Sequence, residues 1–138
     1  MNKELPYILL ADDDPDDLFT FLQAFGELDP HVPIYTVTDG QELIEFLEGC
    51  IPDELPSLII LDYKMPILSG PEVLQKLASN SEHALIPKVV WSTSKRTQDI
   101  ENCVRFGAAG YFLKPASSRE LAELIQKIEL IYSAQLQH

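Results

Sequence analysis

Four short polar insertions in otherwise apolar segments hold the residues able to do chemistry. Asp12 and Asp13 open the acidic part of "LLADDDPDDL", where five carboxylates fall within six positions, 12–17. Asp62 follows "SLIIL", Ser92 follows "KVVW", and Lys114 follows "GYFL". Brought together, three carboxylates, a hydroxyl and an ammonium would suit a hard dication such as Mg²⁺. That ion takes one or two protein carboxylates, keeps several waters and coordinates phosphate. Unscreened like charges would raise a carboxyl pKa, whereas a bound dication keeps all of them ionised. Asp62 then stays available as a nucleophile toward phosphorus, giving an aspartyl phosphate. Phosphoryl transfer needs mostly positioning and charge neutralisation, which the metal, Lys114 and Ser92 can supply. The rest of the acidic run has a local explanation: Asp14 as a helix cap, Asp16 and Asp17 as first-turn residues favoured by the helix dipole.

The elements that must position these groups alternate along the chain. "YILLA" (7–11) is a short apolar run, as expected of a strand buried on both faces. Asp14 and Pro15 start a helix carrying Leu18, Phe21, Leu22, Phe25 and Leu28 at helical spacing. "IYTV" (34–37) is a second strand, ending near Thr38 and Asp39. A short helix follows, with Leu43, Ile44 and Leu47 inward and Gly49 as its stop. "SLIIL" (57–61) is a third strand, and Pro71 starts a helix bearing Val73, Leu74 and Leu77. "KVVW" (88–91) leads to a modest helix near 97–106, with Ile100 and Val104 inward and Gly107 as its stop. "GYFL" (110–113) precedes the strongest helix, capped by Ser117 and Glu120, with Leu121, Leu124, Ile125, Ile128 and Ile131 as its stripe. Five β–α units imply an α/β fold, a doubly wound five-stranded parallel sheet. In the flavodoxin-like order 2-1-3-4-5, ligands gather beyond the strands' carboxyl ends where the order reverses. Asp12, Asp13 and Asp62 converge there, flanked by Ser92 and Lys114.

The 138 residues are expected to form one domain with a core of about 6–134 and, the last helix ending near 135, no output domain. A formal charge of −12 argues against a nucleic-acid surface and favours a basic or metal-ion partner. The N-terminus lacks a secretory pattern, and no stretch approaches the roughly 20 apolar residues of a membrane span. Cys50 and Cys103 have no paired spacing, so a reduced, cytoplasmic setting is expected. His31, His83 and His138 follow no ligand spacing and read as ordinary residues.

"ILLADDDPDD", "LIILDYKMPILSG", "VVWSTS" and "GYFLKP", in this order, resemble the receiver domain of two-component response regulators. The resemblance implies that Asp62 accepts a phosphoryl group from a histidine kinase or histidine phosphotransfer protein. It implies that Asp13 binds Mg²⁺ directly, Asp12 mainly through water, and the main-chain carbonyl of Lys64 completes the protein ligands. Lys114 would pair with the phosphoryl oxygens, with a cis Lys114–Pro115 bond. Ser92 would move to the phosphoryl group and Tyr111 would turn inward after it, carrying the signal to the face of the fourth helix, fifth strand and fifth helix. A downstream protein, or a second copy in a homodimer, would read that face. Ser92 stands where Thr is more usual, Trp91 is unusually bulky, and Thr93 replaces a smaller residue and would crowd access to Asp62. The long connections "GCIPDELP" and "SNSEHALIPK" resemble those of receivers serving phytochrome-type kinases.

Two other readings remain open at this point. An aspartyl-phosphate phosphohydrolase would need an acid–base carboxylate two residues beyond its nucleophile, where this chain has Lys64. A receiver fold that binds partners without phosphorylation would not need the acidic pair, Asp62, Ser92 and Lys114. The expectation is therefore a phosphoacceptor switch and not an enzyme with its own substrate.

Overall fold

The computed structural model describes residues 3–136, so His138 lies outside the described residues. Strands β1 (Ile8–Ala11), β2 (Ile34–Val37), β3 (Leu58–Asp62), β4 (Lys88–Ser92) and β5 (Gly110–Leu113) alternate with five helices. These are α1 (Pro15–Leu28), α2 (Gly40–Glu48), α3 (Gly70–Ala78), α4 (Thr97–Arg105) and α5 (Ser118–Gln135). Single 3₁₀ turns, Pro52–Glu54 and His83–Leu85, lie in the connections before β3 and β4. All strand pairings are parallel and the order is β2-β1-β3-β4-β5, as expected from the alternation.

The side-chain period of two sorts the strands into two cores. Leu9, Ala11, Ile59, Leu61 and Val90 face α2, α3 and α4, meeting Leu43, Leu47, Val73, Leu77 and Cys103. Ile8, Leu10, Leu58, Ile60, Val89 and Trp91 face α1 and α5, meeting Phe21, Phe25, Leu124, Ile125 and Ile128. β1, β3 and β4 are buried along their whole length, which is why they read as unbroken apolar runs. Asp14 caps α1 as expected, its carboxylate accepting from the backbone N–H of Asp16 and Asp17.

Two helices turn differently from their sequence spacing. On α1, Phe21 and Phe25 are buried, but Leu22 and Leu28 stay exposed at the flanks. On α4, Cys103 and Asp99 face inward while Val104 is 58% exposed. The cause lies in what α4 meets: the hydroxyls of Tyr63 and Ser94 bind Asp99 and fix the helix's rotation. The Lys114–Pro115 bond is a further correction. The one cis peptide among the described residues is Leu5–Pro6. Lys114–Pro115 keeps the trans isomer, the lower-energy one for most X-Pro bonds, and the lysine reaches the carboxylates without a cis bond.

Candidate functional site

Strand register builds the site. Ala11 pairs with Leu61, so the next residues, Asp12 and Asp62, leave the sheet side by side. Asp62 pairs with Trp91 and Ser92 with Leu113, which brings Ser92 and Lys114 to the same edge. The start of α3 closes in from below. Ser69 and Glu72 form a reciprocal capping box that the sequence reading missed, and the Gly70 N–H donates to the Tyr63 carbonyl at 2.8 Å. A Cβ on Gly70 would lie 2.8 Å from the Asp62 carbonyl oxygen, so glycine is what permits this approach.

Asp12, Asp13 and Asp62 each present a carboxylate oxygen, all within 4.8 Å of one another. Asp13 is exposed; Asp12 and Asp62 are buried. Burial raises the Asp12 pKa to about 6, with the Lys114 ammonium and the Asp14 N–H opposing and Asp62 adding to the rise. Burial pushes Asp62 up too, against hydrogen bonds from Lys114 and from the backbone of Lys64 and Tyr63. Lys114 Nζ lies 2.9 Å from Asp12 Oδ2, 2.7 Å from Asp17 Oδ2 and 3.0 Å from Asp62 Oδ2. Burial works against its charge, but the three carboxylates outweigh it and hold its pKa above the usual lysine value. It also sits 4.9 Å from the centre of the Trp91 ring, close enough for cation–π attraction.

One buried atom tests whether a cation fits. Asp12 Oδ1 accepts from the Asp14 N–H at 2.9 Å, but Oδ2 has no hydrogen-bond donor. Its contact with Lys114 has hydrogen-bond length without hydrogen-bond alignment. A fully buried carboxylate oxygen left in that state is costly, and a hard divalent cation would satisfy it. The donor set therefore fits such an ion.

The remaining expected residues lie around this centre. Ser92 is buried, and its Oγ accepts from the Ser94 N–H at 3.1 Å. Tyr111 is half-buried and donates to the Ser94 carbonyl at 2.8 Å. Thr93 and Lys64 are exposed at the rim.

Four residues of the network were missed in the sequence. Asp17, read there as a helix-dipole residue alone, pairs with Lys114. Asp99 accepts from Tyr63 Oη at 3.0 Å and from Ser94 Oγ at 2.5 Å. The Ser94 bond leads in holding its pKa below the usual carboxylate range, against burial, with help from Tyr63. None of the four carried a signal in the local sequence; Asp13 precedes α1, so its spacing to Asp17 is not a helical one.

The family model for the response regulator receiver domain matches residues 8–126. The nitrate/nitrite response regulator protein NarL of Escherichia coli (strain K12) is 33% identical over 127 residues, 91% of this chain and 56% of its own length. The chain thus spans little more than half of that relative. The crystal structure of the phosphorylated cyanobacterial phytochrome response regulator RcpA matches with a TM-score of 0.82 at 29% identity, covering 92% of this chain and 93% of that one. The Mn²⁺-bound form of the response regulator Rcp1 matches at 0.75 with 26% identity, covering 90% and 91%.

Proposed function

The chain belongs to the response regulator receiver domain family, and on that premise we propose that Asp62 accepts a phosphoryl group from a phosphohistidine. An Asp62 oxygen attacks phosphorus; a P–O bond forms as the P–N bond breaks, and the electron pair of the broken bond leaves with the imidazole. The observation that carries this reading is the contact of Lys114 Nζ with Asp62 at 3.0 Å beside the Asp12–Asp13–Asp62 cluster. Lys114 keeps Asp62 ionised against its burial, then follows the charge onto the phosphoryl oxygens. Mg²⁺, held by Asp12, Asp13, Asp62 and the main-chain carbonyl of Lys64, would supply the remaining charge neutralisation when bound.

The readout runs through Ser92. Turning its hydroxyl toward a phosphoryl group takes Oγ away from the Ser94 N–H. Ser94 holds Tyr111 through its carbonyl and Asp99 of α4 through its hydroxyl. Displacing Ser94 therefore frees Tyr111 to turn inward and shifts α4, altering the face of α4, β5 and α5. Val104 and Leu113, exposed by 58% and 43%, give that face apolar contact area for a downstream protein or a second copy of the chain. Thr93 at the rim narrows the approach to Asp62. The donor is a histidine kinase or phosphotransfer protein, with the cytoplasm as the working place. Similarity to a phytochrome response regulator supports a phytochrome-type kinase. No helix of the described residues is long and apolar enough to cross a membrane.

Labelling with acetyl phosphate or phosphoramidate in Mg²⁺, read by intact mass, tests the assignment. Wild type gains one phosphoryl group and Asp62→Asn gains none. Stoichiometric labelling of Asp62→Asn would refute it.

A further inference from the structure

Asp17 lies outside the three carboxylates of the metal cluster, yet it makes the shortest contact with Lys114, 2.7 Å from Nζ. Of the three N–H donors on that ammonium, one is directed at Asp17 and one at Asp62. Asp12 Oδ2, only 2.9 Å away, receives none. The ammonium's hydrogen bonds thus go to Asp17 of α1 and Asp62 of β3, and its contact with Asp12 is out of line. Its acidic neighbours on α1 do not do this. The Asp14 carboxylate is occupied by the backbone N–H of Asp16 and Asp17, and Asp16 is exposed.

Building on the receiver reading above, we propose that Asp17 is a positioning residue for Lys114. It takes one of the ammonium's hydrogen bonds, so that Asp12 Oδ2, though 2.9 Å from Nζ, receives none and keeps its lone pairs for the divalent cation. Without Asp17, the freed N–H of Lys114 turns to Asp12 Oδ2, already 2.9 Å away, and competes directly for the oxygen the cation needs. The helix dipole favours an acid at position 17, but it favours one equally at 16. Asp16 therefore serves as the control for charge without contact.

The test is a double-mutant cycle on Mg²⁺ affinity in otherwise intact protein. Trp91 is the only tryptophan, and its ring faces Lys114 Nζ at 4.9 Å, so its fluorescence reports the site; calorimetry gives an independent reading. Asp17→Asn is expected to weaken Mg²⁺ binding about fivefold, the size expected of one partly buried ion pair. Asp16→Asn is expected to change it by less than about twofold. In a Lys114→Met background, which removes the charge and keeps an unbranched apolar side chain, the two substitutions should have the same small effect. Lys114→Gln provides a second background should the Met variant fold poorly, with thermal midpoints reporting folding. An Asp17→Asn loss of equal size with and without Lys114 would overturn the proposal, because Asp17 would then act only as a distant charge. So would no loss at all. Wild type without a saturable Mg²⁺ response would overturn the metal site itself, a failure distinct from absent coupling in a protein that binds the ion.

Discussion

The metal-free protein carries a buried carboxylate, Asp12, whose removal is expected to stabilise it near neutral pH. The Asp12 side chain has no solvent exposure, and burial, only partly offset by Lys114 and the Asp14 N–H, lifts its pKa from 3.8 to about 6. A carboxylate with a folded-state pKa above its unfolded one binds protons more tightly in the native state. Its contribution to stability is therefore largest below about pH 4 and is lost as pH rises through about 6. Two units at about 1.4 kcal/mol each give an upper figure of about 3 kcal/mol lost near neutrality. Asp12→Asn keeps the shape and the acceptor for the Asp14 N–H at 2.9 Å, and gives back part of the gain where its amide meets Lys114. A net gain of about 1–2 kcal/mol corresponds to a midpoint raised by about 3–8 °C. Scanning calorimetry in chelator from about pH 4.5 to 8 reads the difference between variant and wild type. The difference reports Asp12 together with its coupling to Asp62, while the distant carboxylates titrate alike in both proteins. The gap should be widest near neutrality and close toward acid. Mg²⁺ at ten times its dissociation constant should stabilise wild type by about 1.4 kcal/mol and the variant by much less. A metal-free variant melting below wild type near neutral pH, or a gap indifferent to acid, would refute the reasoning.

Two further substitutions probe the loop that frames Asp62. Ile67 has φ of 70° and is 72% exposed; a β-branched side chain in that left-handed conformation costs about 1–2 kcal/mol. Ile67→Asn, which tolerates that conformation, should raise the thermal midpoint by about 2–5 °C. A lowered midpoint would mean that packing, not backbone strain, governs the position. Gly70→Ala puts a methyl 2.8 Å from the Asp62 carbonyl and 3.0 Å from Tyr63 Cα, forcing α3 away from β3. Urea unfolding should show a loss of about 1–3 kcal/mol, and Asp62 should label more slowly. Unchanged stability and labelling would show that the helix start has slack.

The strand ends were legible in the sequence because each buried run stops at a polar residue, and parallel topology carries all those stops to one edge. Asp12, Asp13, Asp62, Ser92 and Lys114 were found that way. Asp17 was hidden because the helix dipole explains it as well as it explains Asp16. What separates the two is one residue's rotation about α1, which turns Asp17 toward Lys114 and leaves Asp16 in solvent. α4 misled for a related reason. Ile100 and Val104 have apolar spacing, but the helix lies where its inner side meets Tyr63 and Ser94, so Asp99 and Cys103 turn inward. Tyr63 and Asp99 are 36 residues apart, and no local pattern announces a hydrogen bond between them. Hydrophobic period fixes an element's rotation where the neighbouring surface is apolar; where that surface is polar, hydrogen bonds decide.

The same division marks this edge as the part of the fold that the proposed phosphorylation would change. Below it, β1, β3 and β4 are buried on both faces, a close-packed interior with little freedom to adjust. At their carboxyl ends lie Asp12 Oδ2 and Trp91 Nε1, the buried side-chain polar atoms without partners among the described residues. Both belong to residues that Lys114 touches, through a 2.9 Å ion pair and a 4.9 Å ring contact. Among the described residues, the buried side-chain polar atoms without partners are thus gathered around one ammonium. A cation at Asp12 or a new charge on Asp62 must redistribute what Lys114 holds. The backbone N–H of Lys114 donates to the Ser92 carbonyl at 2.8 Å, two bonds away from Tyr111 through Ser94. With a rigid interior below and a hydrogen-bonded rim above, the proposed phosphorylation would send its response outward along that rim, because the sheet itself has nowhere to yield.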